Sequence, residues 1–433
     1  MKHKLIGLSV LAAALLSPLA QAVTDAEVDA SFFPYEKGVP SFADLKPGTI
    51  INKGNVDKYK DVLDPGTLKF VKDGWHDIEV GATNSISYDK NYIAATKKYA
   101  NQVKLGAKPG TIEGIQAGRP FPAEPSLQDP RAGEKLAFNY KYGMIAGDSE
   151  RIYPFYWYYR DLNSGKLERT INFDFRFINF KHRVTQQPVP DISPNPEKWF
   201  RGVYAKVLAP LDVKDTQLLI HRFDDDTKAD DAYLYLGFQR RVRRLSMSQT
   251  TDSFLGSDLM IEDFEGLWSR VSDFKWTYKG TANMLLPVYR HSELKKTDFA
   301  ESDGYKHVTF GGKSECFFNA PWSLRKTYIL EAVPNDPASP IGKRILYMDA
   351  QTAVFPMILI YDKKGELWKR WTVGFSDSAY HAPANKNAGL ALYSTAAMTD
   401  VQSNHCTNMR LHAIIDEKQV PKEMFNVQNM RGD

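Results

Sequence analysis

Alternation of apolar and polar residues is clearest from Arg151 onward, where it has the two-residue period of β-strands. In RIYPFYWYYRDLNSGKLERTINFDFRFINF, two strand-like runs flank the turn-forming sequence Asn163-Ser164-Gly165-Lys166. The second run places Ile171, Phe173, Phe175 and Phe177 on one face and Asn172, Asp174 and Arg176 on the other. This pattern predicts a hairpin with one apolar face.

Similar strand-like segments recur along the rest of the chain. They are RGVYAKVLAP, TQLLIHRF, DAYLYLG, RRVRRLS, WTYKG, RKTYILEAVP, KRILYMDA, VFPMILIYD and LWKRWTVG. Turn signals such as Asp362-Lys363-Lys364-Gly365 separate several of them. So many short strands at hairpin spacing predict a mainly β fold with a large antiparallel sheet, curved or nearly closed because open edges aggregate.

The region before these strands, residues 23–150, has a mixed character and is interpreted as an N-terminal lead-in. From Asn91, the sequence NYIAATKKYANQVKLG spaces its apolar positions like a helix that stops at Gly106. The following stretch, KPGTIEGIQAGRPFPAEPSLQDPRAGEK, is dense in Pro and Gly and is typical of a loop that wraps the body of a protein.

The block from Tyr233 to Gly266 sets an aromatic run beside an arginine run and then an acidic segment. In a strand, Arg241 and Arg243 share one face, and Arg240 and Arg244 share the other. Arginines on both faces cannot all be buried unpaired, so some must meet carboxylates or reach solvent.

The acidic segment after the arginines predicts a helix. Ser257 or Asp258 can cap its N-terminus, and early carboxylates suit the helix dipole. The carboxylates are Glu262, Asp263 and Glu265, and the apolar positions that would face the sheet are Leu259, Ile261, Phe264 and Leu267.

The first residues are typical of a secretory signal peptide. A short positive region is followed by a mostly apolar run from Leu5 to Leu19 and by Ala20-Gln21-Ala22, which offers small residues for cleavage after Ala22. An N-terminal membrane anchor is the alternative, although the apolar run is short for a span and contains Pro18. We expect the mature protein to be exported to the periplasm.

Two cysteines, Cys316 and Cys406, are present in the chain. In an oxidising compartment they most simply form one disulfide, with two free buried thiols as the alternative. A bridge would tie the region before Trp322 to the C-terminal part.

Composition changes this picture little. The 433 residues are 43% hydrophobic and 25% charged, which is ordinary for a globular protein. A net charge of +4 over this length is too weak to indicate a nucleic-acid binder.

Three separated blocks carry a resemblance to a known group of proteins. YLYL with RRVRRLS, then LGSDLMIEDF, and later EAVP, IGKRILYMDA and FPMILIYDKKGELWKRW resemble the series in outer-membrane lipoprotein-sorting-like proteins of the LolA and LolB fold. Within that group, the length, the leader and the long N-terminal region resemble the domain of unknown function 1329 family. The resemblance covers the chain from about Tyr153 to the C-terminus.

This resemblance implies a strongly curved antiparallel sheet that forms a half-open barrel over residues 151–433. Helices would cover its concave apolar side, which would hold an acyl chain or another lipid-like molecule. Alternation alone shows only a buried face, so the cavity lining rests on the resemblance. The expected lining residues are Tyr156, Tyr158, Phe173, Phe175, Phe177, Tyr233 and Tyr235.

On the same resemblance, charges at the rim would hold the covering segment. Arg241, Arg243 and Arg244 would pair with Asp258, Glu262 and Asp263. Two roles remain open for these charges: a purely structural tie between cover and sheet, or direct contact with a ligand headgroup.

Catalytic signals are weak. The stretch HRFDDDTKADD at His221 lacks calcium-loop spacing and is typical of a solvated loop. The sequence contains no HExxH, GxSxG, phosphate-loop or dinucleotide motif. We therefore expect no metal, no cofactor and no catalysis.

Two hypotheses follow. The first is a periplasmic carrier or chaperone for a lipid, a lipoprotein acyl chain or another hydrophobic compound, working with an inner-membrane transporter or an outer-membrane protein. The alternative is a secreted hydrolase acting on an ester or a polysaccharide, with Trp157, Trp268 and Trp322 as substrate platforms.

Overall fold

The computed structural model describes residues 22–246 and 250–431, and all structural statements below concern these residues. The predicted signal peptide lies outside them except for Ala22. The α-helices are α1 (Asp25–Phe32), α2 (Pro65–Lys72), α3 (Lys90–Tyr99) and α4 (Ala132–Lys141).

The strands are mostly short in the N-terminal region and long after residue 148. They are β1 (Ile50–Ile51), β2 (Ile78–Glu79), β3 (Lys104–Leu105), β4 (Ile112–Glu113), β5 (Ser149–Asp161), β6 (Leu167–Asn179), β7 (Trp199–Ala209), β8 (Gln217–Phe223), β9 (Asp231–Leu236), β10 (Arg241–Leu245), β11 (Phe274–Leu286), β12 (Phe310–Gly311), β13 (Phe317–Phe318), β14 (Ser323–Pro334), β15 (Ile341–Asp349), β16 (Met357–Asp362), β17 (Leu367–Asp377), β18 (Ala391–Asp400) and β19 (His405–Ile414).

Short 3-10 helices connect many of these elements. They span Val56–Val62, Ala100–Gln102, Phe254–Gly256, Ile261–Asp263, Val271–Asp273, His291–Glu293, Lys313–Glu315, Ser378–Tyr380, Pro383–Asn385, Glu417–Gln419, Lys422–Phe425 and Val427–Asn429.

Thirteen strands of the described chain form one antiparallel sheet in the order β10-β9-β8-β7-β6-β5-β19-β18-β17-β16-β15-β14-β11. Strands β5 to β10 are a meander, β14 to β19 are a second meander, and the pairing of β5 with β19 joins them. β10 and β11 are the two edges, so the sheet is open. The predicted mainly β fold with a large antiparallel sheet is confirmed, as is the predicted β5–β6 hairpin.

The sheet is strongly curved. Trp268 N donates to Glu262 O at 2.8 Å, so these two residues are adjacent. The Trp268 carbonyl accepts a hydrogen bond from Arg222 on β8, and the Glu262 carboxylate accepts one from Arg344 on β15 at 2.5 Å. β8 and β15 are eight strand steps apart, which is about 38 Å in a flat sheet at about 4.8 Å per step. Only a curled sheet brings both strands to one short segment.

Both faces of the sheet are covered. Helix α4 and residues 250–273 pack on the concave face, where the Tyr140 hydroxyl donates to the Glu265 carbonyl. Helix α2 packs on the convex face, where Thr67 accepts a hydrogen bond from Arg370 on β17. On the convex face, the C-terminal residues 417–430 cover β6 to β9, and residues 287–322 cover the middle strands.

Local sequence explains the N-terminal helices. Asp64 caps α2 by accepting from Thr67 N, and Asp89 caps α3 by accepting from Asn91 N and Tyr92 N. The predicted helix from Asn91 is confirmed by α3 and the 3-10 turn that follows it, but its predicted end at Gly106 is wrong, because Lys104–Leu105 form strand β3. α4 lies directly on β11, since a Cβ on Gly133 would be 2.8 Å from Tyr278 N. A larger residue at that position would therefore push the helix off the sheet.

Cys316 and Cys406 form a disulfide with a Cα–Cα distance of 5.9 Å, as predicted. The bridge joins the segment before β13 to the start of β19. Within the described ranges, no helix has both the length and the apolar character needed to cross a bilayer.

Candidate functional site

The concave face carries an apolar wall that crosses five adjacent strands. Its residues are Phe175 and Phe177 on β6, Ile152, Phe155 and Trp157 on β5, Met409 and Leu411 on β19, Tyr393 and Ala396 on β18, and Trp371 and Val373 on β17. The aromatic rings contact one another, with 5.3 Å between the centroids of Phe155 and Phe175. Because these strands alternate, every second residue contributes to the same continuous surface.

Residues 250–273, named here the strap, lie over this wall. Phe264 is central: its ring centroid is 5.8 Å from Phe175 and 6.3 Å from Trp157. Leu259 and Leu267 are buried beside it, as the sequence predicted. The strap thus presents an apolar side to the wall.

The predicted helix in this segment is wrong, because the segment contains only isolated 3-10 turns. Leu255 and Glu265 have φ values of 51° and 54°, and each precedes a glycine that also has positive φ. Left-handed residues end a right-handed helix, so the chain turns sharply at both places. The strap is therefore irregular and not a continuous helix.

The strap fills most of the concavity. Between it and the wall remains an apolar cavity of about 40 Å³. Pockets for small molecules usually measure about 300–1,000 Å³, so an acyl chain would need part of the strap to move.

Ion pairs hold the strap to the sheet. Arg344 on β15 binds Glu262 at 2.5 Å and Asp263 at 2.8 Å, and its side chain has no exposed surface. Burial raises the pKa of Glu262 even though Arg344 opposes this effect. Asp258 is held in the middle of the sheet by His405 and Thr407, each at 2.7 Å. The hydrogen bond to Asp258 raises the pKa of His405.

These contacts correct the predicted rim pairing. Arg241, Arg243 and Arg244 lie on the exposed edge strand β10 and do not contact Asp258, Glu262 or Asp263. Arg244 pairs with Asp231, and Arg243 donates to Gln239. Glu262 and Asp263 pair with Arg344 because the curl of the sheet places β15, and not β10, beneath this segment. Sequence reasoning missed Arg344, whose only signal was a charge within the apolar strand KRILYMDA.

The expected lining residues separate into two groups. Phe173, Phe175 and Phe177 are buried on the concave side, and the last two line the cavity. The expectation that Tyr156 and Tyr158 line it is wrong, because they project from the convex face against His307 and Phe310. Their neighbours Phe155 and Trp157 take the concave positions.

Tyr233 and Tyr235 also lie on the convex face, which corrects their assignment to the lining. They belong to a cluster with Leu219, Phe425 and other residues under the C-terminal segment. Ala232, between Asp231 and Tyr233, is the β9 residue that reaches the concave core.

Polar groups are present around the cavity. The indole N–H groups of Trp157 and Trp371 have no hydrogen-bond partner among the described residues. Tyr393 donates to Glu150, which is fully buried, and burial raises the pKa of Glu150 to about 8. A water or a ligand oxygen would satisfy the two indole donors.

A polar cavity of about 290 Å³ lies beside the strap, at the opening between the two ends of the curled sheet. Its walls include Arg222, Arg270 and Asp273 together with the hydroxyl groups of Thr250 and Ser269. It borders the strap but shares no lining residue with the apolar cavity.

The residues considered for catalysis do not form an accessible site. Trp157, Trp268 and Trp322 are buried, so their expected role as exposed substrate platforms is wrong. Ser376 Oγ lies 2.6 Å from His381 Nε2, a contact that sequence reasoning missed, but Ser376 has no exposed surface. In the described part of the chain, no group of three or more His, Cys, Asp or Glu residues could hold a metal ion.

Comparison with known proteins gives the following matches. The model of a family described as "Protein of unknown function (DUF1329)" matches residues 50–431. An uncharacterized protein of Pseudomonas aeruginosa is 23% identical over 336 residues, which are 76% of this chain and 69% of that protein.

Among solved structures, a DUF1329 family protein from Desulfovibrio piger has a TM-score of 0.48 and 17% identity, covering 70% of this chain and 100% of that one. A putative outer membrane lipoprotein-sorting protein domain from Vibrio parahaemolyticus has a TM-score of 0.47 and 18% identity, covering 70% and 99%. A LolA superfamily protein from Nitrosomonas europaea has a TM-score of 0.37 and 11% identity, covering 65% and 91%.

Proposed function

The chain belongs to the DUF1329 family, and from its geometry we propose that it is a carrier that binds a lipid or another hydrophobic compound against the concave wall. The observation that carries the proposal is the irregular strap over a continuous apolar wall. A wall that only stabilised the fold could be covered by regular elements. A wall that must be exposed for cargo needs a cover that can leave.

The strap mimics the cargo in this proposal. Leu259 and Phe264 bury apolar surface that an acyl chain would otherwise bury, so the empty protein does not expose its wall to water. Each methylene of a bound chain contributes about 0.8 kcal/mol. A long chain can therefore displace two or three side chains of the strap.

The polar surroundings give the cargo an orientation. The unpaired indole N–H groups of Trp157 and Trp371 would donate to an ester or carboxyl oxygen. The polar cavity of about 290 Å³ would hold a headgroup outside the wall. The preferred cargo is an acyl compound with a polar end.

Export to the periplasm is part of the proposal. It is supported by the leader-like sequence of residues 1–22 and by the disulfide, since disulfides persist in oxidising compartments. There the protein would exchange cargo with a membrane transporter or an outer-membrane protein.

Binding of a fluorescent fatty acid tests the proposal. We expect the wild-type protein to bind the probe and Phe175→Asp to lose binding, because a carboxylate on the wall opposes an acyl chain. Phe425→Asp is the matched control: Phe425 is equally buried but lies in the convex cluster, so this variant should bind the probe if it folds.

Hydrogen exchange with and without the probe tests the strap directly. Backbone amides of residues 254–267 should exchange faster when the probe is bound, while those of β6 stay protected. A wild-type protein that binds no probe would overturn the proposal. An empty protein that turns over ester or glycoside substrates would favour the hydrolase instead.

A further inference from the structure

The arginine run at β10 takes no part in the site above. Arg240 and Arg241 are exposed, and within residues 22–246 and 250–431 neither forms an ion pair. β10 is an edge of the sheet, so the run lies at a corner of the molecule.

The end of the sheet that carries this corner is built from neighbouring hairpin turns. Strand direction places the 210–216 turn between β7 and β8 beside the 237–240 turn between β9 and β10. A Cβ on Gly237 would lie 2.8 Å from Lys214 O, so the two turns touch. Arg169 near the start of β6 binds Asp212 at 2.5 Å, which brings that strand end to the same place.

Large apolar side chains protrude from these turns. Leu211 is 86% exposed and Phe238 is 75% exposed, and Leu167 at the start of β6 is 44% exposed. We name Leu167, Leu211, Lys214, Phe238, Arg240 and Arg241 the hairpin-tip surface. It spans the strands from β6 to β10, about 19 Å at about 4.8 Å per strand step.

The charge of this surface is positive. Asp212 pairs with Arg169 and Asp215 pairs with Lys206, so both acids of the 210–216 turn are already paired. Lys214, Arg240 and Arg241 are exposed and have no ion pair in the described chain. Unpaired basic groups thus surround protruding apolar ones.

We propose that the hairpin-tip surface docks the protein onto an anionic phospholipid membrane. Apolar side chains on turn tips can enter the boundary between headgroups and acyl chains, and arginines beside them meet lipid phosphates. Charge complementarity favours an anionic membrane as the partner, since the surface is positively charged. Its apolar side chains protrude singly and do not form the flat patch that a protein partner would need.

Vesicle co-sedimentation of the full chain without its leader tests this. The protein should bind vesicles of phosphatidylcholine with phosphatidylglycerol and bind phosphatidylcholine alone far more weakly, and added salt should reduce binding. Arg240→Gln with Arg241→Gln should lower the partition coefficient roughly 30-fold, at about fivefold for each charge. Leu211→Ser with Phe238→Ser should lower it on the order of tenfold.

Matched controls keep the test specific. Lys46→Gln with Lys53→Gln removes two exposed charges elsewhere, and Tyr380→Ser removes an aromatic ring that is 71% exposed. These variants should bind vesicles like the wild type. All hairpin-tip variants should keep native circular dichroism and fatty-acid binding, so a failure of docking is distinct from a failure of the carrier proposal.

Three outcomes would overturn the proposal. The first is a wild type that binds neither kind of vesicle, and the second is a wild type that binds both kinds equally. The third is a loss of binding by the control variants as large as that of the hairpin-tip variants. Self-association through the β10 edge that depends on the same residues, without vesicle binding, would assign this surface to a protein partner instead.

Discussion

At the scale of single residues, Phe264 decides how full the concavity is. Its ring touches Phe254, with 5.2 Å between centroids, as well as the wall. Removing it leaves space that the strap cannot close without moving. The same vacancy is what an acyl chain needs.

Phe264→Ala should therefore lower the free energy of unfolding by about 3–5 kcal/mol, the usual cost of Phe to Ala in a core. It should also tighten binding of the fluorescent fatty acid, because less of the strap must be displaced. Urea unfolding and probe titration measure the two effects. Phe238→Ala, at an exposed ring, should change neither, and weaker probe binding by Phe264→Ala would show that this ring belongs to the site.

Glu150 makes the stability of the fold depend on pH. Burial raises its pKa from 4.5 to about 8 in the folded state. Between these values the folded protein binds a proton that the unfolded chain has released, so stability falls as pH rises from 4.5 to about 8. The loss is on the order of a few kcal/mol.

Glu150→Gln should remove this contribution, since the amide does not titrate. Thermal melts at several pH values should show a smaller fall in stability for this variant than for the wild type. Glu417→Gln, at an exposed carboxyl, should reproduce the wild-type profile. Parallel profiles for Glu150→Gln and wild type would contradict the assignment.

Residue faces were only partly predictable. The β6 run places phenylalanines on one side and polar residues on the other, so its buried face is visible in the sequence. In β5, YPFYWYY is aromatic on both sides because both sides are covered, and alternation could not tell Tyr156 from Trp157. Which face was concave depended on the curl of the whole sheet.

At the scale of elements, the strap is the clearest case of a local pattern overridden by tertiary contacts. Its caps and acidic early turn favour a helix, yet the segment follows the concavity in short turns. Leu259 and Phe264 still reach the core, so burial was predictable where backbone conformation was not. Apolar positions in a sequence therefore predict which side chains are buried more reliably than they predict the backbone conformation.

Arg344 is the element-scale anchor of the strap. Arg344→Leu should lower the free energy of unfolding by about 3–5 kcal/mol, because Glu262 and Asp263 would be left buried without a partner. Limited proteolysis should then cut within residues 250–273 sooner than in the wild type. The same substitution at exposed Arg241, the partner that the sequence suggested, should leave both measurements unchanged.

Strands β18 and β19 show where pattern reading ends. Every residue of β18 is buried, and its sequence ALYSTAAMTD has small residues on both faces. A strand covered on both sides loses the alternation that reveals edge or half-buried strands. The central place of these two strands in the sheet came from topology alone.

At the scale of the whole molecule, two meanders meet at β5 and β19, and the strap connects β8 of one meander with β15 of the other. The meander that contains β19 also holds the disulfide. Cys316 precedes β13 and Cys406 lies in β19, with a sequence separation of 90 residues. The closed loop therefore contains strands β13 to β18, of which β17 and β18 contribute to the concave wall.

Cys316→Ser with Cys406→Ser should lower the free energy of unfolding by on the order of 4 kcal/mol, because the unfolded chain regains the freedom of that long loop. Urea unfolding gives the value, and reductant should lower wild-type stability by a similar amount without affecting the variant. Since the bridge constrains these strands and leaves the strap free, probe binding below the transition should persist in the variant. Loss of binding in a folded variant would mean that the bridge shapes the wall itself, and that the curl of these strands depends on a covalent tie as well as on packing.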